Sequence, residues 1–290
     1  MRAFAYHAPS SLAEAVAVLE REGPGGRILA GGTDLLVQAK ERGSVPRYVV
    51  SLRDVHELSR VSFDEAGGLE IGARVSLGEV ADHPEIRRRF SAISTGASLV
   101  GSYQIQNRGT VGGNLCNAAP SADCAPPLLV LDAVIDVHGA TGRREIPLVD
   151  FFVGPGRTVL GADEVLVSIR VPSPPSKSGS AYLRHTPRQE MDIAVVGVAA
   201  SVALDARGDV ASLRVALGAV GPTPFLAREA GARAVGQAPD DATIAEVASI
   251  AAGEARPISD QRGSAAWRRH LVEVLARRAI KIAIGRALAA

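Results

Sequence analysis

The sequence predicts an α+β protein that begins with a small parallel α/β unit, and three observations lead to this prediction. Up to about residue 56, helical patterns alternate with short apolar strands. From there to about residue 172, apolar residues alternate at the spacing of β-hairpins. The remaining chain combines two strands around a turn with two longer helical segments. Alternating helices and strands favour a parallel sheet, whereas successive hairpins favour an antiparallel one.

The first unit has clear helix start and stop signals. Ser11, with Glu14 three residues later, is a candidate N-cap, and the glycines that begin at Gly23 end this helix. RILAGG predicts a strand that runs into a glycine turn. Thr33 opens a second helix, which Gly43 ends, and PRYVVSL predicts another strand.

The middle of the chain predicts a β-rich subdomain. A glycine turn at 66–68 joins two strands, and the residues after Pro84 have a helical pattern. The stretch 107–133 is crowded with Gly, Asn, Pro and Ser and is almost uncharged, so we expect it to be rich in loops. AVIDVHGATGRREIPL then predicts a further hairpin, and EVLVSIRVP predicts a strand.

The segment PSPPSKSGS indicates a linker, and 290 residues are typical of about two domains. We therefore expect an N-terminal domain over 1–172, with subdomains at about 1–56 and 57–172. A linker over 173–180 and a C-terminal α+β domain over 181–290 follow. The latter has strands on both sides of a turn at 206–208 and a long helix from about Ser264 to Leu288.

The composition excludes several classes of protein. A net charge of +1 offers no broad electrostatic attraction for nucleic acid or an anionic membrane. The only cysteines, Cys116 and Cys124, exclude a disulfide scaffold, and without metal-ligand spacing they predict no iron–sulfur or zinc site. We find no window long and apolar enough for a membrane span, nor the layout of a signal peptide near Met1, so we expect a cytoplasmic protein.

Two glycine segments stand out. The first, AGGTDL at 30–35, joins a predicted strand to a predicted helix, where curled backbone and a helix N-terminus suit a phosphate; a plain strand-to-helix turn is the alternative. The second, NRGTVGGN at 107–114, combines glycines with the Thr110 hydroxyl and the Asn114 amide. It suits a large ligand, and an Ω-loop packed on itself is the alternative. Neither segment has the lysine of a nucleotide-triphosphate loop. Two backbone-lined segments on different subdomains suit a diphosphate whose ends lie in both. The pair therefore indicates a dinucleotide or flavin dinucleotide.

These two segments, together with RHTPRQEMDIAVVGVAA and DQRGSAAWRRHLVEVLARRAI, resemble a known family over nearly the whole chain. It is the FAD-binding medium subunit of molybdenum hydroxylases, the carbon monoxide dehydrogenase and xanthine dehydrogenase flavoprotein family. The resemblance implies a PCMH or vanillyl-alcohol-oxidase-type FAD-binding domain: a parallel α/β subdomain and a five-stranded antiparallel subdomain. A C-terminal α/β domain like that of the carbon monoxide dehydrogenase flavoprotein follows, and FAD lies between the first two parts.

The resemblance also implies which residues bind FAD. The first segment holds the pyrophosphate through backbone N–H groups, the second forms a diphosphate and ribityl loop, and Asp123 accepts from a ribityl or ribose hydroxyl. Leu166 packs near the adenine or flavin, and Arg184 lies near the isoalloxazine. The implied cofactor-binding residues are Leu29, Ala30, Gly31, Gly32, Thr33, Asp34, Leu35, Thr110, Val111, Gly112, Gly113, Asn114, Asp123, Leu166 and Arg184.

Two departures from the family pattern concern the loop that faces the flavin. Gln106 stands where the family often has an arginine, and 186–188 replace a consecutive basic pair. No catalytic side chain is expected. The histidines are scattered, and Cys116, with nothing nearby to lower its pKa, is interpreted as a small packing residue.

The resemblance implies an oxidoreductase subunit that passes electrons from 2Fe–2S clusters of a partner, through FAD, to NAD, oxygen or a quinone. The partners are a molybdenum-cofactor large subunit and a 2Fe–2S small subunit, in a dimer of heterotrimers, that is, a heterohexamer. One alternative is a stand-alone flavin-dependent reductase of the same superfold. Another is an assembly subunit that has lost its flavin.

Overall fold

The computed structural model describes residues 3–41, 43, 45–188 and 191–290. Arg42, within the predicted second helix, and Gln189 and Glu190, within a stretch that carries the resemblance, lie outside the described residues. The three larger sheets among the described residues, with the helices packed on them, form three successive parts of the chain.

The first part is a parallel α/β unit, as predicted. Its three strands run in the order β1-β3-β2, and both pairings are parallel. Ser11 Oγ accepts a hydrogen bond from Glu14 N at 3.2 Å, which confirms the predicted N-cap. The sequence analysis missed the first strand. The elements are β1 (Ala5–His7), α1 (Leu12–Glu22), β2 (Gly26–Leu29), α2 (Leu35–Glu41) and β3 (Tyr48–Ser51).

The second part is a five-stranded antiparallel sheet with six helices. The strand order is β4-β5-β10-β6-β7, so the late strand β10 lies between the two predicted hairpins. Its elements are β4 (Val61–Asp64), β5 (Gly68–Gly72), α3 (Leu77–Asp82), α4 (Pro84–Arg89), α5 (Ser91–Ser98), α6 (Tyr103–Gln106), α7 (Val111–Asn117), α8 (Ala125–Val130), β6 (Val134–Gly139), β7 (Gly142–Pro147), the short strands β8 (Phe152–Gly154) and β9 (Arg157–Thr158), and β10 (Val165–Val171).

The prediction that 107–133 is rich in loops was wrong for much of its length. Helix α7 begins after its N-cap Thr110, and helix α8 begins with two prolines in its first turn, where the missing N–H costs nothing. All six residues of α8 are buried. Tertiary burial therefore overrides the Gly and Pro signals that predict a loop.

The third part is a four-stranded antiparallel sheet in the order β11-β12-β13-β14, covered by three helices. The strands on both sides of 206–208 and the long last helix confirm the prediction. Strand β11 begins at Ser178 and so includes the last residues, 178–180, of the predicted linker segment. The elements are β11 (Ser178–His185), β12 (Val196–Leu204), β13 (Val210–Gly218), β14 (Phe225–Leu226), α9 (Arg228–Ala234), α10 (Asp241–Glu254) and α11 (Ala265–Ala289).

The second and third parts share one hydrophobic core. Tyr182, Ala199 and Ala216 of the last sheet are buried in the same cluster as the side chains of the five-stranded sheet. This shared burial fixes the two parts against each other. Among the helices described, none combines the length and the apolar character that crossing a membrane requires.

Candidate functional site

The first glycine segment is the connection from β2 to α2. Gly31, Gly32 and Thr33 are half-buried, and Asp34 is exposed. The carbonyl oxygen of Gly32 accepts from Leu36 N at 3.1 Å, which starts the turn of α2. The segment is thus a short turn that leads directly into a helix N-terminus, where free N–H groups favour an anion.

The second glycine segment begins α7. Thr110 Oγ1 accepts from Gly113 N at 2.9 Å, so the hydroxyl that the sequence analysis singled out caps the helix. Val111 and Gly112 are buried. A Cβ on Gly112 would lie 2.7 Å from the carbonyl oxygen of Ala73, so glycine is required for the helix to approach the sheet.

The structure brings these two segments together. A Cβ on Gly31 would clash with the carbonyl oxygen of Arg108 and would lie 2.8 Å from Gly109 Cα. On the same side, Gln38 Nε2 donates to Asn117 Oδ1 at 3.1 Å and links α2 to α7. Backbone therefore meets backbone between the α/β unit and the five-stranded part. Both segments were predicted from the sequence. The hydrogen bond between Gln38 and Asn117 was not, because no sequence motif marks it.

One polar atom at this junction has no partner. Asn114 Oδ1 is buried and accepts no hydrogen bond from any described residue. A buried acceptor without a donor is unfavourable, so such an atom indicates a ligand that supplies one. The glycines at the point of closest approach allow the two backbone segments to lie directly against each other. The junction therefore fits a dinucleotide that has a phosphate and hydroxyl groups.

Asp123 and Arg184 lie together in a second cluster. Arg184 Nη1 donates to Asp123 Oδ2 at 2.5 Å, and Tyr182 Oη donates to Asp123 Oδ1 at 2.7 Å. The side chains of the ion pair are only 8% (Asp123) and 5% (Arg184) exposed. Burial raises the pKa of Asp123, although Arg184 and Tyr182 oppose this shift. This cluster joins strand β11 to the chain before α8, and sequence reasoning missed its Tyr182.

Leu166 lies in neither place. It is 3% exposed and belongs to the same hydrophobic core as Val111 and Leu115 of α7. Its side chain thus belongs to the core on which α7 packs. Within the described ranges, no group of three His, Cys, Asp or Glu side chains is arranged to hold a metal ion.

Two glycine segments that meet between a parallel α/β unit and an antiparallel sheet fit the class of dinucleotide-binding flavoproteins. The family model described as "FAD binding domain in molybdopterin dehydrogenase" matches residues 2–174. The model described as "CO dehydrogenase flavoprotein C-terminal domain" matches residues 181–283. The chain belongs to the family of FAD-binding subunits of molybdenum hydroxylases, and FAD is its cofactor.

Two relatives and two solved structures illustrate the similarity. The xanthine dehydrogenase FAD-binding subunit of Escherichia coli O157:H7 is 33% identical and covers 97% of this chain and 96% of its own. The carbon monoxide dehydrogenase medium chain of Hydrogenophaga pseudoflava is 32% identical and covers 98% of each chain. A structure of carbon monoxide dehydrogenase from that organism matches with a TM-score of 0.94, 31% identity and 98% coverage of each chain. Quinoline 2-oxidoreductase from Pseudomonas putida 86 matches with a TM-score of 0.91, 32% identity and 99% coverage of each chain.

Proposed function

We propose that this chain carries FAD at the junction of the two glycine segments. There it would pass electrons from the 2Fe–2S clusters of a partner subunit to NAD, oxygen or a quinone. The observation that carries the proposal is the direct contact of the two segments, beside the unpaired acceptor Asn114 Oδ1. FAD, when bound, accepts electrons singly, stores a pair and delivers it onward.

The chain's own residues would bind and orient the cofactor. Backbone N–H groups at the start of α2 would hold the pyrophosphate, with the Thr33 hydroxyl as a further donor. The beginning of α7 would hold the second phosphate and the ribityl chain, and Asn114 would accept from a hydroxyl. The proposed binding residues are Leu29, Ala30, Gly31, Gly32, Thr33, Asp34, Leu35, Thr110, Val111, Gly112, Gly113, Asn114, Asp123, Leu166 and Arg184.

Three of these residues have a less direct role in the proposal. Both oxygens of Asp123 have a partner within the chain, yet each retains a lone pair for a ribityl or ribose hydroxyl. Its ion pair holds Arg184 in place, near the isoalloxazine. Leu166 packs close to the adenine or flavin from the core side. No side chain acts as a general acid or base.

The proposed partners are a molybdenum-cofactor large subunit and a 2Fe–2S small subunit, assembled as a dimer of heterotrimers in the cytoplasm. The name "medium chain" of the carbon monoxide dehydrogenase relative supports a complex with a larger and a smaller subunit. In this proposal, residues 1–172 form the FAD-binding domain, 173–180 the linker and 181–290 the C-terminal domain.

The first experiment is purification of the full chain with its co-expressed partners, followed by the visible spectrum, metal content and native mass. We expect flavin absorption at about 370 and 450 nm in a complex that contains iron and molybdenum. Flavin bound to a lone chain of 30.0 kDa would favour the stand-alone reductase instead. A colourless chain that takes up no FAD would favour the assembly subunit and overturn the proposal.

A further inference from the structure

A cleft lies between the second and third parts of the molecule, away from the glycine segments. One side is formed by the end of α8, the first residue of β6 and the last residue of β7. The other side is formed by β13, β14 and the start of α9. Its volume is about 420 Å³, which is within the range of small-molecule sites.

The charged residues that line this cleft are two arginines and one aspartate. Arg214 is ion-paired with Asp132. Burial, with a further contribution from the nearby positive charge of Arg228, lowers the pKa of Arg214. The Arg228 side chain has no hydrogen-bond or ion-pair partner among the residues that the structure describes. The cleft therefore carries one positive charge more than its own acid neutralises.

The position of Arg228 is well defined by the backbone around it. It is the first residue of α9, and Ala227 N, just before it, donates to the carbonyl oxygen of Val215 at 2.8 Å. Glu254, the last residue of α10, accepts from Ala230 N through Oε1 at 2.9 Å and so caps the first turn of α9. The guanidinium is thus presented by a fixed helix start, and Glu254 already has a partner.

The remaining walls of the cleft are apolar. Leu129, Val149 and Leu226 are among the residues that line it. An occupant that matches both features has an anionic end for the guanidinium groups and an apolar body for these side chains. Guanidinium groups pair with the two oxygens of a carboxylate in one plane.

We propose that this cleft binds a small amphipathic carboxylate, with Arg228 and Arg214 on the carboxylate and the apolar walls on its body. This site is separate from the FAD site, and the proposal does not depend on the function proposed above. Asp132 competes with the ligand for Arg214. Its backbone has φ 54°, a left-handed conformation that asparagine also tolerates, so Asp132→Asn keeps the backbone and removes the competing charge.

The experiment is a calorimetric titration of the full FAD-loaded chain with benzoate, with benzyl alcohol as the uncharged control. We expect saturable binding of benzoate and none of benzyl alcohol. Arg228→Ala weakens benzoate binding about tenfold, because a charge-assisted contact is lost. Arg233→Ala is the matched control on the same helix: Arg233 pairs with Glu246 at 2.7 Å, lies outside the cleft and leaves the affinity unchanged.

Asp132→Asn has the opposite expected effect. It tightens benzoate binding several-fold, whereas a merely structural role of Asp132 would weaken it. The proposal is overturned if benzoate does not bind saturably, or if Arg228→Ala and Arg233→Ala bind it equally well. It is also overturned if benzoate binds the chain but not the assembled complex, because the cleft would then be an interface with another subunit.

Discussion

Two junctions hold the three parts of this molecule together, and they are built in opposite ways. Where the first two parts meet, glycine backbone at Gly31 lies against Arg108 and Gly109, and Asn114 Oδ1 has no donor within the described chain. Where the last two parts meet, Asp123 is buried with a donor on each oxygen, from Tyr182 and Arg184. The first junction has a buried acceptor without a donor, whereas both buried acceptor oxygens of the second have one.

This difference is the one expected between the proposed FAD site and a structural contact. A buried acceptor left open costs free energy in the absence of ligand, so it belongs where a ligand binds. In a buried ion pair with both partners present, removal of one partner lowers the free energy of unfolding, because it leaves the other charge buried and unpaired. We therefore expect changes at the first junction to alter chiefly FAD affinity. Changes at the second should alter folding first, in addition to the contacts that Asp123 and Arg184 are proposed to make with FAD.

The largest effect on stability is expected for Asp123→Ala. This change leaves the Arg184 guanidinium buried without a counter-charge and should lower the free energy of unfolding by about 3–5 kcal/mol. Chemical denaturation of the FAD-free chain measures it. The control is Asp54→Ala, on an exposed aspartate, which should change stability by less than about 0.5 kcal/mol. A loss below about 1 kcal/mol for Asp123→Ala would contradict the structural role of the second junction.

The largest effect on the cofactor is expected for Gly31→Ala. The added methyl group pushes the first segment away from the Arg108 carbonyl, so FAD affinity should fall on the order of 100-fold. Fluorescence titration of the refolded chain with FAD measures it, and circular dichroism verifies the fold. Gly253→Ala in α10 is the control, because a Cβ there has nothing within 4 Å. Equal FAD affinities of Gly31→Ala and Gly253→Ala would contradict the proposal that FAD binds at the first junction.

Asn114→Ala tests the open acceptor itself. FAD affinity should fall about tenfold, because one hydrogen bond to the cofactor is lost. The FAD-free chain should become no less stable, since Asn114 Oδ1 has no protein partner to lose and the change removes a buried acceptor without a donor.

Asn117→Ala, on the same helix, is the matched control for Asn114→Ala. Its Oδ1 accepts from Gln38 Nε2 at 3.1 Å, so this change should cost about 0.5–1.5 kcal/mol without FAD. If both variants destabilise the FAD-free chain alike, the acceptor of Asn114 is not open.

The smallest effect is expected for a partly exposed ion pair at the surface, as the counterpart of the buried one. Glu164 pairs with Arg144 at 2.7 Å, and this hydrogen-bonded partner lowers the pKa of Glu164. Glu164→Gln should cost no more than about 1 kcal/mol at neutral pH. A lowered pKa in the folded state stabilises above the ordinary pKa, and this contribution disappears as the pH falls through the lowered value.

Denaturation curves of wild type and Glu164→Gln at several pH values between neutrality and strong acid measure this difference. The two stabilities should converge in acid. Glu70→Gln, on an exposed side chain of β5, is the control, and its free energy of unfolding should stay within about 0.5 kcal/mol of wild type. A constant difference over the whole range would mean that the charge of Glu164 contributes nothing.

Local signals explain what the sequence predicted well. The N-cap of α1 and the turn between β12 and β13 depend on residues within a few positions of each other. Helices α7 and α8 were missed because their Gly and Pro residues favour loops, while the burial that stabilises them comes from distant residues. The two glycine segments were found by composition. The Asp123–Tyr182 contact spans 59 residues and has no sequence motif, so no local pattern could predict it.

The central position of β10 has a consequence for how the protein is made. The strand is synthesised after β6 and β7, yet it lies between β5 and β6 and pairs with both. On the ribosome, the two hairpins of this sheet cannot join until Val171 has emerged, because nothing else in the sheet bridges them. Helix α7, whose N-cap is Thr110, contacts β10, so at the proposed site FAD would be bound only after the first 171 residues have been translated.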